Sequence, residues 1–241
     1  MAELPLSGRT ALVTGGAVRL GRAIALGLAA QGADIVLHYL SSEAEAERTA
    51  EEIRALGRRC LIVRTDLQSP DAPQTLFDAA QPIGGANILV SSAAVFEKAP
   101  FSGTTLDLWD RTFAINLRAP FFLAQTFAAR CQKGDILFLA DANAQRAGRE
   151  YLAYSLTKTA IAALTRTLAK TLAPGIRVNA VAPGAILPPP GEGPEYLERL
   201  AKRIPLQRIG SPEDIVGAVL YLLQSPYVTG EVLAVSGGSE L

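Results

Sequence analysis

The sequence predicts an α/β protein, a doubly wound sheet of seven parallel strands with helices on both faces. Three observations predict it. Seven short apolar runs recur along the 241 residues, and longer helical patterns separate them. The runs are apolar almost throughout rather than at alternate positions, as strands covered on both faces must be. Regular strand–helix alternation then implies parallel strands joined by crossover helices.

The elements follow in order. TALVT at 10–14 reads as the first strand, and the glycine turn behind it opens a helix at 20–31. DIVLHY at 34–39 leads to a helix at 43–56, RCLIVR at 59–64 to one at 71–80, and NILVS at 87–91 to a long one at 105–130. DILFLA at 135–140 precedes a helix at 151–173, IRVNAVA at 176–182 one at 212–224, and EVLAVS at 231–236 closes the series. Ser211-Pro212-Glu213-Asp214 supplies an N-cap, a proline at the first helical position and acids in the first turn. Pro174-Gly175 stops the helix before it. The irregular stretch is GAILPPPGEGPE at 184–195, whose prolines and glycines predict a loop. A loop at the carboxyl end of a parallel strand is where ligands bind in such sheets. No linker or repeat divides the chain, so 1–241 reads as one domain, with a substrate loop at about 184–203.

Composition excludes several functions. Lys plus Arg equals Asp plus Glu, 23 against 23, so no basic excess calls for nucleic acid or an anionic membrane. One histidine, His38, and two distant cysteines, Cys60 and Cys131, offer no metal set; the cysteines read as reduced thiols. The N-terminus lacks the basic start and apolar run of a signal peptide, and no run approaches the ~20 apolar residues that span a bilayer. A soluble, cytoplasmic protein acting on a small molecule is expected.

ALVTGGAVRLGRAIA at 11–25 is a strand, a glycine turn and an amphipathic helix. Gly15 and Gly16 permit the tight turn, and Gly21 permits close approach at the helix start. Exposed N–H groups and the helix dipole there favour a pyrophosphate, although such a turn also serves as a plain strand–helix connection. Arg19 adds a guanidinium that can reach a further phosphate. The second strand ends on His38, Tyr39, Ser41 and Ser42, with no acid before Glu43. NAD sites place a carboxylate at that end; its absence permits a 2′-phosphate, and the expected cofactor is NADP(H). Ser41 and Ser42 equally suit an N-cap pair.

Tyr154 and Lys158, at i and i+4, lie on one helix face. A neighbouring ammonium is expected to lower the phenol's pKa and fit it for proton transfer at a carbonyl or alcohol. The bare pattern occurs often by chance, and alone the pair reads as a surface helix pair. Asp141 ends a strand thirteen residues before Tyr154; it suits proton donation or a turn cap.

VTGGAVRLG, YSLTK and RVNAVAPG occur in that order. The chain thereby resembles the short-chain dehydrogenase/reductase family over nearly its whole length, which implies a Rossmann fold. Thr14-Gly15-x3-Arg19-x-Gly21 looks most like the pteridine reductases, where an Arg takes a glycine's place. Asp141 matches their Asp at the usual Ser position, and Phe96 falls where their pterin-stacking Phe stands; plain packing is the other reading of Phe96. The resemblance implies catalytic Asp141, Tyr154, Lys158 and Asn116, the last supporting the lysine through water. It implies cofactor contacts from Gly15, Arg19, Leu20, Gly21, His38, Tyr39, Ser41, Ser42, Asp66, Leu67, Ser92, Ala93, Tyr154, Lys158, Pro183 and Gly184. Arg19, Phe96, Asp141 and Tyr154 would meet substrate. It also implies a homotetramer through the helices at 105–130 and 151–173.

Three positions depart from the family. Ser91-Ser92-Ala93-Ala94 replaces Asn-Asn-Ala-Gly, Ser41 stands where pteridine reductases carry Arg, and AILPPP lacks the usual Thr or Ser after Pro183-Gly184. The function expected is NADPH-dependent hydride transfer to a dihydropterin or dihydrofolate. The alternatives are a ketone reductase, such as one for 3-oxoacyl thioesters, and a low-turnover NADP-binding sensor.

Overall fold

The computed structural model describes residues 4–144, 150–189 and 193–241. The seven strands are β1 (Thr10–Thr14), β2 (Asp34–Tyr39), β3 (Cys60–Arg64), β4 (Ile88–Ser91), β5 (Gly134–Leu139), β6 (Ile176–Pro183) and β7 (Val232–Val235). They form one parallel sheet in the order β3-β2-β1-β4-β5-β6-β7. The order reverses between β1 and β4, and that crevice at the strands' carboxyl ends is where a doubly wound sheet binds ligands.

Burial explains why the strands read as unbroken apolar runs. Ala11 and Val13 of β1, Ile35 and Leu37 of β2, and Leu137 and Leu139 of β5 pack into one core. That core is shared with α1 (Arg19–Ala30), α2 (Glu43–Ala55) and, after an intervening helix, the chain's last helix at Pro212–Gln224. Leu12, Val36, Ile136 and Phe138, the alternate residues, pack into a second core. The other face is covered by α3 (Ala72–Ala79), α5 (Ala119–Arg130) and α6 (Leu152–Leu172). Side chains of a strand alternate between faces, so two covered faces require an apolar residue at every position.

Two elements differ from expectation. The helix at 105–130 is α4 (Leu106–Phe113), a π turn at Ala114–Arg118, then α5. Pro120 has no N–H to give the Asn116 carbonyl, so the hydrogen-bond ladder loosens there. The stretch at 184–203 holds a two-turn helix, α7 (Pro194–Ala201), with Pro194 at its first position. Proline breaks a helix interior but suits its first turn, and Leu197, 8% exposed, anchors this one. Residues 190–192 of that stretch, and 145–149 after β5, lie outside the described residues. The last helix, α8 (Pro212–Gln224), carries the expected cap: the Asp214 side chain accepts from the Ser211 N–H at 2.8 Å, and the Ser211 hydroxyl accepts from the Asp214 N–H.

At the sheet's amino-terminal edge, Asp135 opens β5 between two guanidiniums, Arg9 at 2.7 Å and Arg177 at 2.6 Å. Arg177 also donates to the carbonyls of Leu222, Leu223, Ser225 and Val228, closing the carboxyl end of α8. Among the described residues no helix is long and apolar enough to cross a membrane, and no cluster of acids, histidines and cysteines could hold a metal ion.

Candidate active site

The crevice between β1 and β4 opens into one cavity of about 480 Å³. Its floor is built from the β1–α1 turn. Gly15 has φ +64°, and a Cβ there would stand 3.0 Å from the Ala93 Cα. A Cβ on Gly21 would fall 2.1 Å from the Gly15 carbonyl oxygen, so only glycine lets α1 seat on the turn. The first turn of α1 holds no acid, and Val18 brings no capping side chain. A side-chain-free floor beneath an uncapped helix start fits the pyrophosphate of a dinucleotide.

Two buried polar groups hold this floor. The Thr14 hydroxyl accepts from the Ser92 and Ala93 N–H groups at 3.0 and 3.2 Å, joining β1 to the segment after β4. The Gly15 N–H donates to His38 Nδ1 at 3.1 Å, which leaves the proton on Nε2 to bond the Thr65 carbonyl at 3.0 Å. Burial pushes the His38 pKa down, against a smaller upward pull from that carbonyl, so the ring is neutral. His38 is thus a strut for the turn as well as a wall of the cavity. Arg19, itself at φ +53°, reaches across the opening and donates to the Pro188 carbonyl at 2.7 Å.

Leu20, Asp66, Leu67, Ser92, Ala93, Pro183 and Gly184 line the cavity. Asp66 is also an Asx cap, accepting from the Gln68 N–H at 2.8 Å. Tyr39, Ser41 and Ser42, also expected at the cofactor, are not part of the cavity wall. Strand alternation turns Tyr39 with Leu37 into the α1 core, while His38 and Leu40 face the cavity. Ser41 and Ser42 lie outside the cavity wall, and Ser42 begins α2 without a side-chain capping bond.

At the other end, Asp141 follows β5 and Tyr154 sits in the first turn of α6. The Tyr154 hydroxyl donates to Asp141 Oδ2 at 3.0 Å, and the Asn143 N–H donates to Oδ1 at 2.7 Å. Lys158, 5% exposed, donates to the Leu139 carbonyl at 2.6 Å. Its ammonium stands 5.6 Å from the centre of the Tyr154 ring.

The electrostatics overturn one expectation. Lys158 does not bring the phenol towards neutrality: burial first, then the Asp141 carboxylate, hold Tyr154 well above its ordinary value. Burial also raises Asp141, against the Asn143 N–H, the Tyr154 hydroxyl and the Lys158 charge. Burial lowers Lys158 to about 8, against the pull of Asp141. The phenol keeps its proton, and the carboxyl is the acid displaced upwards.

Asn116 stands in the π turn, 2% exposed. Its Oδ1 accepts from the Val95 N–H at 2.7 Å, and its Nδ2 donates to the Val95 carbonyl at 2.9 Å and the Thr157 hydroxyl at 3.3 Å. These bonds tie the segment after β4 to α6, one residue before Lys158. Phe96 belongs to that segment, its ring stacked on Tyr151 at 4.4 Å and 3° and meeting Tyr154 edge-on at 4.6 Å. The Ala99 N–H donates to the Glu150 carbonyl, fastening the same segment to the start of α6.

Sequence reasoning missed the structural parts of Thr14 and Tyr151. Thr14 had a signal, a polar residue closing an apolar strand before Gly-Gly. Tyr151 had one too, a second tyrosine three residues before Tyr154, at the start of its helix.

Comparison with known proteins agrees with this architecture. Residues 16–240 match the family model described as "Enoyl-(Acyl carrier protein) reductase". The chain is 34% identical over 245 residues to an L-rhamnose 1-dehydrogenase (NAD(P)(+)) of Sphingomonas sp. (strain SKA58), covering 97% of this chain and 96% of that protein. It is similar to a solved FolM alternative dihydrofolate reductase 1 from Brucella canis complexed with NADP, at TM-score 0.93 and 34% identity, covering 100% of this chain and 96% of that one. A blue fluorescent protein from a metagenomic library, solved with NADPH, matches at TM-score 0.92 and 36% identity over 98% of this chain and 99% of that one.

Proposed function

The chain belongs to the short-chain dehydrogenase/reductase family and is an NADP-dependent oxidoreductase, and we propose that within that family it reduces a pteridine-like ring, a dihydropterin or dihydrofolate. The observation that carries this is the Asp141–Tyr154 pair, 3.0 Å apart on the cavity wall beside Phe96. Similarity to the Brucella reductase supports it.

Reducing a ring C=N bond places hydride on carbon and a proton on nitrogen. NADPH held on the floor at Gly15 and Gly21 would supply the hydride. The proton must come from an acid within hydrogen-bond reach of that nitrogen. Asp141, whose carboxyl burial raises above its ordinary range, is placed with Tyr154 to give it. Tyr154 keeps its O–H, orients the carboxyl and can pass the proton on. Lys158 places a positive charge beneath the pair, and Phe96, its plane fixed by Tyr151, offers a flat ring face. Gly15, Leu20, Gly21 and Ala93 would cradle the dinucleotide, with Arg19 towards the 2′-phosphate. Asn116 would act by holding the segment after β4. The 184–203 segment would frame the substrate. Assembly as a homotetramer belongs to the same proposal, supported by Phe121, Phe122 and Leu156, each 41–45% exposed on α5 and α6.

Carbonyl reduction is the second reading. It is favoured by the match to the model named for acyl-carrier reductases and by the rhamnose dehydrogenase. The test is NADPH oxidation with dihydrobiopterin or dihydrofolate beside an acetoacetyl thioester. Turnover of the pterin alone is expected; turnover of the thioester alone would overturn the pteridine assignment and leave the hydride chemistry standing.

A further inference from the structure

Asp141 is held on its far side by the turn that follows β7. After β7 the chain makes a turn, Ser236-Gly237-Gly238-Ser239-Glu240, in which Gly237 and Gly238 have φ +66° and +87°. The turn is braced internally: the Ser236 hydroxyl bonds the Glu240 carboxylate and accepts from the Gly238 N–H at 3.1 Å. It is wedged between site segments. A Cβ on Gly184 would stand 2.7 Å from the Ser236 Cα, and the Leu206 N–H donates to the Gly237 carbonyl. On its third side, Asn143 and Ser239 exchange bonds: Asn143 Nδ2 donates to the Ser239 hydroxyl at 3.1 Å, which donates back to Asn143 Oδ1 at 3.4 Å.

The consequence is chemical. The Asn143 backbone N–H bonds Asp141 Oδ1, and an oxygen that accepts a short N–H bond is the carbonyl oxygen of a protonated carboxyl. A proton taken up by the carboxyl then resides on Oδ2, 3.0 Å from the Tyr154 oxygen, which accepts from it in that state and donates to it when the carboxyl is ionised. We infer that Asn143 and Ser239 are positioning residues for the acid: the turn after β7 fixes the 141–144 turn, and so directs the Asp141 proton to Oδ2, on the side of Tyr154. This rests on the reading of Asp141 as the proton source.

Five other charged or titratable groups stand on the elements around Asp141. Tyr154 and Lys158 face it from α6. Arg19 and His38 line the same cavity, one bonded to Pro188 and the other to Gly15 and Thr65. On the turn itself, Glu240 is bonded to Ser236. Loosening Asn143 weakens a bond that favours the carboxylate, so the Asp141 pKa rises further. Activity that needs the protonated acid falls as pH rises through that pKa; the alkaline limb therefore moves up.

The test is the pH profile of kcat/KM for dihydrobiopterin in Ser239→Ala, Ser239→Thr, Asn143→Ala and the double Ala variant, with NADPH affinity measured alongside. Ser239→Ala is expected to lose about tenfold in kcat at its optimum and to move the alkaline limb up by about half a pH unit. NADPH affinity stays within about twofold, Thr restores both kinetic values, and the double variant loses no more than either single one, because both remove the same bond. An unmoved limb, a Thr variant no better than Ala, or additive losses would overturn the inference. Asp141→Asn separates the two layers. Full pterin reduction by that variant defeats the acid assignment and this inference with it; loss there with a silent Ser239→Ala defeats the positioning alone.

Discussion

β5 is bracketed by two aspartates, Asp135 near its start and Asp141 just past its end, and their surroundings are opposite. Asp135 lies between the guanidiniums of Arg9 and Arg177, at 2.7 and 2.6 Å, and Arg177 is in turn bonded to four carbonyls of the α8 end. Asp141 has no such ion pair among the described residues; it meets a phenol and a backbone N–H, with an ammonium nearby bonded to Leu139. A carboxylate held between two guanidiniums serves the fold. An under-compensated one is displaced towards neutrality and can exchange a proton. One strand thus carries a structural acid at one end and the proposed chemical acid at the other.

Three substitutions would break or sharpen that contrast. The largest effect is expected at the chemical end. Tyr154→Phe keeps the ring edge against Phe96 but removes the hydroxyl, and kcat should fall about 10³-fold while NADPH binding, read by fluorescence titration, stays near wild type. Turnover close to wild type would remove Tyr154 from the proton path. At the structural end, Asp135→Asn leaves two guanidiniums without their shared charge. It should cost about 3 kcal/mol, seen as a melting temperature lower by roughly 6–12 °C for a chain of this size, with kcat unchanged well below the melt. Lost turnover in a fully folded Asp135→Asn protein would mean that the two ends are not separable. The smallest effect is at the cofactor. Arg19→Ala should weaken NADPH about tenfold or more and NADH little, measured as paired dissociation constants. Equal losses would assign the guanidinium to its Pro188 contact rather than to a 2′-phosphate.

The fold was legible because its signal is local and repeated. Buried strands need apolar residues on both faces, and each crossover helix repeats the covering pattern. The helix caps read just as directly, as Ser211 and Asp214 show. The π turn was hidden because Pro120 reads as a tolerated first-turn proline of α5 unless the helix is known to continue through it. Helix α7 was hidden by the prolines before it, whose meaning depends on whether they fall inside a helix or at its start.

At the site, the sequence by itself determined which reactive groups exist and in what order: a glycine turn with Arg19, a strand ending on Asp141, and Tyr154 one helical turn before Lys158. Those are matters of spacing along one element. Only the tertiary structure decided how they behave. Burial, which depends on what other elements cover a residue, holds the Tyr154 proton in place, raises Asp141 and lowers Lys158 to about 8. Partners distant in the chain, such as Thr14 with Ser92 or Asn143 with Ser239, meet only when the sheet and its final turn close. A charge's energy depends on its distance to other charges and to water, and neither distance is written along the chain.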